Sequence, residues 1–362
     1  MKRHYFLIAS LFSVLFILSA CHDTADGGVA KFENGFIRGD YAYVPFERNL
    51  LTIDISNPLQ PEVIDRIYMR FKVVEVVLDG DNLYVGRSAD SSIDGQVKTD
   101  GGVFKYDISA SIPEFKDQLT FPPFVRAIAA DTNHLVVSGL EETWVTRSNE
   151  NLGASQYDNH IGYSYNQLLW HEGFLLGGGG FCSFRTGHCQ GWLDKIVISD
   201  RNEIFAERLY AGSIPIFTME IIGDRLVTHG RNIMIAPLGE LELFPTDQVE
   251  YAGGSYSGVS AGSDNHVFYF AENHEIFVRQ FNEQGALPVL IGQESSAPVG
   301  TFFTHMTINE KHLYAVSSYG LHIIDIADPQ NPFGAAFLPF SDNPGDNTDQ
   351  APIPQPSATP TG

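Results

Sequence analysis

A short unit recurs seven times along the chain, and this repetition constrains the fold more than any other feature. Each copy contains a turn with Asp, Asn or Gly, followed by a short apolar strand. The copies start roughly 40 to 52 residues apart. They occupy residues 39–44, 80–85, 131–137, 171–176, 223–227, 264–270 and 309–316. Short strands repeated at this spacing are typical of the blades of a β-propeller.

A second strand pattern, which ends in an Asn-Pro or Asp-Pro turn, occurs near both ends of the chain. Residues 50–61 read LLTIDISNPLQP, and residues 321–332 read LHIIDIADPQNP. A degenerate copy at 102–109 lacks the turn. The alternating apolar residues predict a strand, which the Asn-Pro or Asp-Pro pair ends. The second Pro cannot donate to a sheet ladder, so it is expected outside the strand or at its edge.

The composition of the whole chain also favours an all-β fold. The chain of 362 residues has 26 Phe, 15 Tyr and 34 Gly, a combination typical of strands joined by turns. No long apolar run has the period of an amphipathic helix. We therefore predict a β-propeller over residues 31–340, with seven blades of four-stranded antiparallel sheet.

The segments at 50–61 and 321–332 resemble the LVIVD repeat of bacterial surface and lipoprotein β-propellers. The resemblance is strong in these two segments and weak between them. Residues 195–200 and 232–236 keep the strand but lose the Pro turn. The resemblance implies a propeller and brings no catalytic residues, because the motif is structural. Its acidic residues are expected to close turns or cap backbone amides: Asp54, Asp107 and Asp325.

The N-terminal segment has the pattern of an export signal. Lys2 and Arg3 precede an apolar run from Tyr5 to Leu18. A basic start and a short apolar stretch before small residues are typical of a signal peptide, and the stretch is too short to favour a spanning helix. We predict that residues 1–20 are removed on maturation.

The end of this segment, Leu18-Ser19-Ala20-Cys21, resembles the lipobox of bacterial lipoproteins. The resemblance implies that Cys21 is lipidated and becomes the new N-terminus. Several acyl chains on one residue would suffice for stable membrane anchoring. His22 stands where an Asp would favour the inner membrane, so the resemblance implies an outer-membrane lipoprotein, on the periplasmic or surface face. The alternative is an ordinary secretory signal in which Cys21 is incidental.

The two ends of the mature chain are predicted to lie outside the propeller. Residues 21–30 are short and polar, as expected of a tether between lipid and domain. Residues 341–362 are rich in Pro and have almost no apolar bulk. Because such a segment cannot bury enough surface to fold, we predict that it is disordered.

The charge is strongly acidic, with 44 Asp and Glu against 22 Lys and Arg, for a net charge of −22. Such a surface repels the phosphates of nucleic acids, so no nucleic acid partner is predicted. It favours solubility and attracts divalent cations or cationic partners.

Two cysteines remain after the lipidation site, Cys182 and Cys189. An oxidising compartment favours their pairing, and the spacing suits a pinned loop or hairpin. The alternative is a metal site that also uses His188 and perhaps His171, although the spacing matches no strong zinc pattern.

Several oxygen-rich or basic segments are candidates for other chemistry. The loop Asp79-Gly80-Asp81-Asn82 has the oxygen density of a calcium loop but lacks the full EF-hand pattern. Arg38-Gly39-Asp40 spells an adhesion tripeptide at the start of a strand. No nucleotide loop and no His-Glu-x-x-His motif is present in the sequence.

The histidines divide into two groups. Some recur at the turn of a blade, where repeat geometry explains them: His134, His171, His266 and His312. The better candidates for acid–base or metal chemistry fall outside this pattern: His160, His229, His274 and His305. A calcium at the propeller axis would need oxygen ligands near blade starts, for which the candidates are Glu75, Glu220 and Asn309.

Two functions remain open from the sequence. The first is a non-catalytic, membrane-anchored scaffold that binds another envelope or surface protein, preferably a basic one. The second is a calcium-dependent propeller hydrolase or lactonase. We assign no catalytic or metal-binding residue and no cofactor, with Ca²⁺ as the one candidate ion.

Overall fold

The computed structural model describes residues 36–340 with short gaps. The gaps are residues 71, 89–100, 121–123, 149–151, 153–158, 172, 184–187, 231, 246, 251–259, 263–266, 273, 282–287, 296 and 298–300. The described residues form seven four-stranded antiparallel sheets arranged in a ring. This arrangement confirms the predicted all-β fold and the predicted number of blades. The signal segment 1–20, the tether 21–30 and the tail 341–362 lie outside the described residues.

Each blade consists of four strands that are consecutive in sequence. Blade 1 is β1 Ile37–Arg38, β2 Tyr41–Phe46, β3 Asn49–Asp54 and β4 Glu62–Tyr68. Blade 2 is β5 Lys72–Asp79, β6 Asn82–Ser88, β7 Gly102–Asp107 and β8 Glu114–Thr120. Blade 3 is β9 Ala127–Ala130, β10 His134–Ser138, β11 Thr143–Arg147 and β12 Asn159–Ile161. Blade 4 is β13 Gln167–His171, β14 Phe174–Cys182, β15 Cys189–Ile198 and β16 Ile204–Gly212.

The last three blades follow the same order. Blade 5 is β17 Ile216–Ile222, β18 Arg225–Gly230, β19 Asn232–Pro237 and β20 Asp247–Glu250, with a 3-10 turn at Leu238–Leu243. Blade 6 is β21 Ser260–Gly262, β22 Val267–Glu272, β23 Glu275–Gln280 and β24 Val289–Glu294. Blade 7 is β25 Phe303–Asn309, β26 His312–Ser317, β27 Gly320–Asp325 and β28 Phe333–Pro339.

The repeated sequence units correspond to fixed places in the blades. In their described residues, all seven turn-strand copies contain part or all of the second strand of a blade. The LVIVD-like segments form third strands. As predicted, their acidic residues cap turns: Asp54, Asp107 and Asp325 each accept a hydrogen bond from the backbone N–H two residues later, at 2.9, 2.8 and 2.9 Å.

The ring has two faces that differ in their connections. We call the upper face the one where inner strands begin. It carries the turns between second and third strands and the connections from one blade to the next. The lower face carries the turns after inner strands and the connections from third to outer strands. The described chain starts, at Phe36, and ends, at Phe340, on the upper face.

Apolar side chains fill the space between neighbouring blades. The ring closes through a cluster in which Phe36, Leu51 and Ile53 of blade 1 share a core with Tyr314 and Leu321 of blade 7. Because every blade is complete in sequence order, this closure depends on packing between blades and not on exchange of a strand.

Polar side chains on the inner strands also join neighbouring blades. The buried Glu75 carboxylate of blade 2 accepts a hydrogen bond from the backbone N–H of Ile128 in blade 3. Gln167 of blade 4 bonds both backbone groups of Met219 in blade 5. These contacts satisfy buried polar groups and fix the relative position of adjacent inner strands.

Candidate functional site

The predicted pair Cys182 and Cys189 forms a disulfide. It closes the upper end of the long hairpin made by β14 and β15, where the two cysteines are direct cross-strand partners. Phe181, next to Cys182, projects from this hairpin and is 51% exposed. In the structure these cysteines are therefore a covalent link in a hairpin, and the alternative metal site with His188 and His171 has no support.

The glycine tract of β14 makes room for two large aromatic side chains below the disulfide. A Cβ on Gly177 would lie 2.6 Å from the Tyr165 ring, and one on Gly179 would collide with the Trp192 indole. The Trp192 Nε1–H donates to the carbonyl oxygen of Ser164 at 3.2 Å. The sequence Gly177–Gly180 therefore serves close packing, as expected for a glycine run without a phosphate-loop Lys.

A buried carboxylate lies beneath these rings. Asp194 is 1% exposed and accepts a hydrogen bond from the Tyr165 hydroxyl at 2.7 Å. It also accepts two hydrogen bonds from the guanidinium of Arg208, from Nε and, at 3.1 Å, from Nη2. A β-bulge at Leu193/Asp194 puts Arg208 directly opposite Asp194. The carboxylate is thus paired and hydrogen-bonded, which is what its burial requires.

The contacts with Asp194 change the pKa values of Tyr165 and Arg208. Burial and the Asp194 carboxylate raise the pKa of Tyr165, which holds its proton for the hydrogen bond. Burial alone would lower the pKa of Arg208, but the hydrogen bond and charge of Asp194 outweigh it and raise that pKa. The contacts with Asp194 therefore hold Arg208 in place.

Arg208 is held between aromatic rings on the upper face. Its guanidinium carbon lies 5.0 Å from the centre of the Tyr163 ring and 6.0 Å from that of Trp192. Phe181 continues the row, with its ring centre 6.5 Å from Trp192 in an edge-on arrangement. Tyr163 is 49% exposed. We call this row of Tyr163, Arg208, Trp192 and Phe181 the blade 3–4 patch.

Other exposed large apolar side chains lie near the blade ends on both faces. On the upper face they include Leu140 beside the blade 3–4 patch, and a second group at blades 7 and 1: Tyr68, Phe302 and Tyr319. In the described lower-face connections they are Leu59 and Ile112, and at the same face Val289 and Phe333 begin the outer strands of blades 6 and 7. Tyr, Trp and Arg are the side chains that most often dominate binding energy at interfaces, and the blade 3–4 patch brings all three together.

The candidate segments at residues 38–40 and 79–82 contact each other. Arg38 of blade 1 forms an ion pair with Asp81 of blade 2, and its Nη1 donates to the carbonyl oxygen of Ile108 at 2.6 Å. Gly80 has a φ of 56°, a left-handed conformation that a glycine adopts readily in a tight turn. Both loops therefore have structural roles between blades 1 and 2.

The candidate ligands for an axial calcium do not converge. Counted back from the last residue of each inner strand, Glu75 lies four positions earlier and Glu220 two positions earlier, whereas Asn309 is itself the last residue. Among the described residues, no group of three or more His, Cys, Asp or Glu side chains is arranged to hold a metal ion.

The candidate histidines occupy unrelated places. His229 is fully buried between blades 5 and 6, with its ring centre 6.4 Å from those of Phe268 and Phe270. His305 is 3% exposed, and Thr304 Oγ1 lies 2.7 Å from its Nδ1. His160 is exposed on the outer strand of blade 3, and His274 lies in a turn of blade 6. The structure brings no two of them into one site within the described residues.

One buried histidine was not singled out by the sequence. His322 aligns with Leu51 of the first LVIVD-like segment, a fully buried position, and it packs 5.2 Å from Phe303 and 4.6 Å from Phe337 between ring centres. Its Nε2 lies 3.0 Å from the hydroxyl of Ser317. Alignment of the two segments, position by position, is the signal that could have marked it as a core residue.

Burial lowers the pKa of His322 to about 4. The folded protein therefore binds this proton less readily than the unfolded chain, in which the pKa is about 6.5. The stabilising contribution is complete above that value and is lost as the pH falls towards 4. We expect this residue to account for a loss of about 3 kcal/mol between pH 7 and pH 4.

Urea unfolding of wild type and His322→Phe at both pH values measures this contribution. The variant should show a smaller decrease in stability, and His160→Gln, which changes an exposed histidine, should behave as wild type. Equal pH dependence of wild type and His322→Phe would contradict the assignment.

Comparison with known proteins agrees with this architecture. The LVIVD repeat family matches residues 34–67 and 305–334, which lie in blades 1 and 7. No curated protein sequence matches the chain. Within the described residues, no helix is long and apolar enough to cross a bilayer.

Three solved structures illustrate the likeness in fold. A functionally unknown protein from Desulfotomaculum acetoxidans has a TM-score of 0.60 and 11% identity, over 84% of this chain and 96% of that chain. The C-terminal WD40 domain of Sif2 has a TM-score of 0.54 and 10% identity, over 79% and 92%. Kluyveromyces lactis Hsv2 with loop 6CD replaced by a Gly-Ser linker has a TM-score of 0.50 and 12% identity, over 75% and 83%.

At these identities the likeness shows the fold alone. Together, the seven closed blades and the family matches identify the chain as a seven-bladed β-propeller with LVIVD repeats in its first and last blades.

Proposed function

We propose that this propeller is an exported lipoprotein, anchored through Cys21, that docks a basic envelope or surface protein. The observation that carries the docking proposal is the blade 3–4 patch. Its exposed rings are supported by a disulfide at one end and by the buried Asp194–Arg208 pair below. An aromatic surface that is rigid before binding loses little conformational entropy on association, which favours affinity.

The net charge of −22 supports a partner of opposite sign. The described carboxylates are concentrated at the lower ends of strands and in lower-face turns: Asp40, Asp54, Asp81, Asp107, Asp131, Asp224, Glu310, Asp325 and Asp328. Long-range attraction and aromatic contact are therefore expected from different parts of the ring. The first mainly raises the association rate, and the second mainly slows dissociation.

Co-purification from envelope extracts tests the proposal with the lipidated protein. Tyr163→Ser/Phe181→Ser should reduce partner recovery at least tenfold, because it removes both exposed rings of the patch. Phe205→Ser is the matched control, since Phe205 is 58% exposed on the outer strand of the same blade. Recovery with wild type should fall as salt is raised, through screening of the acidic surface.

Further experiments test the membrane anchor, the docking site and the alternative hydrolase function separately. Cys21→Ser should release the protein from the membrane fraction, and continued association after a high-salt wash would contradict the anchor. Equal recovery with the patch and control variants would contradict docking at blades 3 and 4. Calcium-dependent turnover of an ester, lactone or phosphoester panel would favour the hydrolase instead.

A further inference from the structure

A second cation on the upper face, Arg126, is arranged differently from Arg208. Arg126 immediately precedes the inner strand of blade 3, and Asn166 immediately precedes that of blade 4. Arg126 Nη1 donates to Asn166 Oδ1 at 3.4 Å. Both residues therefore lie where inner strands begin, around the upper end of the propeller axis.

The orientation of Asn166 is fixed by two other contacts. Its Nδ2 donates to the carbonyl oxygens of Gly180, at 2.9 Å, and Ile216, at 3.0 Å. The amide oxygen is therefore the end that faces Arg126. Asn166 positions the guanidinium through one neutral acceptor, and among the described residues it is the one acceptor that the five N–H groups of Arg126 contact.

In the part of the chain that the structure describes, the Arg126 guanidinium is paired with no carboxylate. It is partly buried, and this burial lowers the pKa of Arg126. Arg208, by contrast, has the buried Asp194 as its counter-ion. A partly desolvated cation without a counter-ion is stabilised by any anion that reaches it.

We propose that Arg126 binds the carboxylate of a small organic monoanion at the upper end of the inner strands. The planar guanidinium fork matches the two oxygens of a carboxylate, which it can bind through two parallel hydrogen bonds. One guanidinium balances one negative charge. This favours a monocarboxylate over a phosphate dianion, for which the described hydrogen-bond partners of Arg126 supply no second cation.

Thermal unfolding of the full chain in sodium acetate or sodium benzoate tests this site, with sodium chloride at equal ionic strength as the reference. Wild type should show a saturable rise of about 2 °C in the unfolding midpoint at ten times the dissociation constant. Arg126→Gln should show no rise. Arg126→Lys, which keeps the charge but loses the fork, should bind at least tenfold more weakly.

Arg201→Gln, which removes an exposed lower-face cation, should respond as wild type. A direct measurement is the NMR signal of the Arg126 Nε–H group in wild type. This signal should shift with the same saturation curve as the unfolding midpoint. The measurement does not depend on whether Arg126→Gln folds. An equal rise in Arg126→Gln and wild type, or no saturable response to either probe, would overturn the proposal. These ions need no partner protein, so failure here leaves the docking proposal untouched.

Discussion

Replacement of Arg208 by Met is expected to lower the free energy of unfolding by about 3 kcal/mol. The substitution keeps the length of the side chain but leaves the Asp194 carboxylate, which is 1% exposed, without its cation. A buried charge that loses its partner carries its full desolvation penalty. Urea unfolding at pH 7 measures the loss.

Two further variants make this result specific. Lys116→Met removes the cation from an exposed ion pair with Glu114 and should change stability by less than about 1 kcal/mol. Adding Asp194→Asn to Arg208→Met removes the buried charge and should recover at least half of the loss. A double variant that is less stable than Arg208→Met alone would contradict a charge-based explanation.

Deletion of residues 301–340 is expected to abolish the soluble folded state. This change removes all four strands of blade 7 and uncovers the core that blade 7 shares with Phe36, Leu51 and Ile53 of blade 1. It also uncovers the side of blade 6 that packs on blade 7 through Tyr269 and Val278. Apolar cores that become exposed, on sheets that are no longer enclosed by neighbouring blades, promote aggregation.

Size-exclusion chromatography and circular dichroism of the truncated chain test this expectation. Removal of residues 342–362, which follow the last strand, is the control and should leave the unfolding midpoint unchanged. A monomeric 301–340 deletion variant with a cooperative unfolding transition would show that the blades form separable units and that closure is not required.

The architecture was predictable because the same short pattern is repeated in every blade. A turn such as Gly80-Asp81-Asn82, followed by an apolar strand, specifies local structure that depends on neighbouring residues. Seven such units at similar spacing then leave few arrangements that bury every sheet. The turn role of Asp54 was predictable for the same reason, since its partner N–H is two residues away.

The blade 3–4 patch was not predictable because its parts are distant in sequence. Asp194 and Arg208 become partners through a bulge in a strand pair, and Tyr165 reaches them from the preceding connection. Arg126 and Asn166 are separated by 40 positions and meet only when two blades pack together. The one local signal was the cysteine pair, which has Phe181 and Trp192 just outside it.

The histidines show the limit of reasoning from residue type. His229 and His305 lie outside the turn pattern, which marked them as candidates for chemistry, yet the first is packed among phenylalanines and the second is almost completely buried. Their environment is set by contacts between blades, and a single repeat does not contain that information.

Docking at the blade 3–4 patch is tested most directly by site-specific photo-cross-linking in cells that make the full chain. A cross-linking residue is placed at Phe181 in the blade 3–4 patch and, in a second strain, at Phe205 on the outer strand of the same blade. We predict one dominant cross-linked protein, of basic isoelectric point, from position 181 and none above background from position 205. The same product from both positions, or a product from position 205 alone, would contradict docking at the patch.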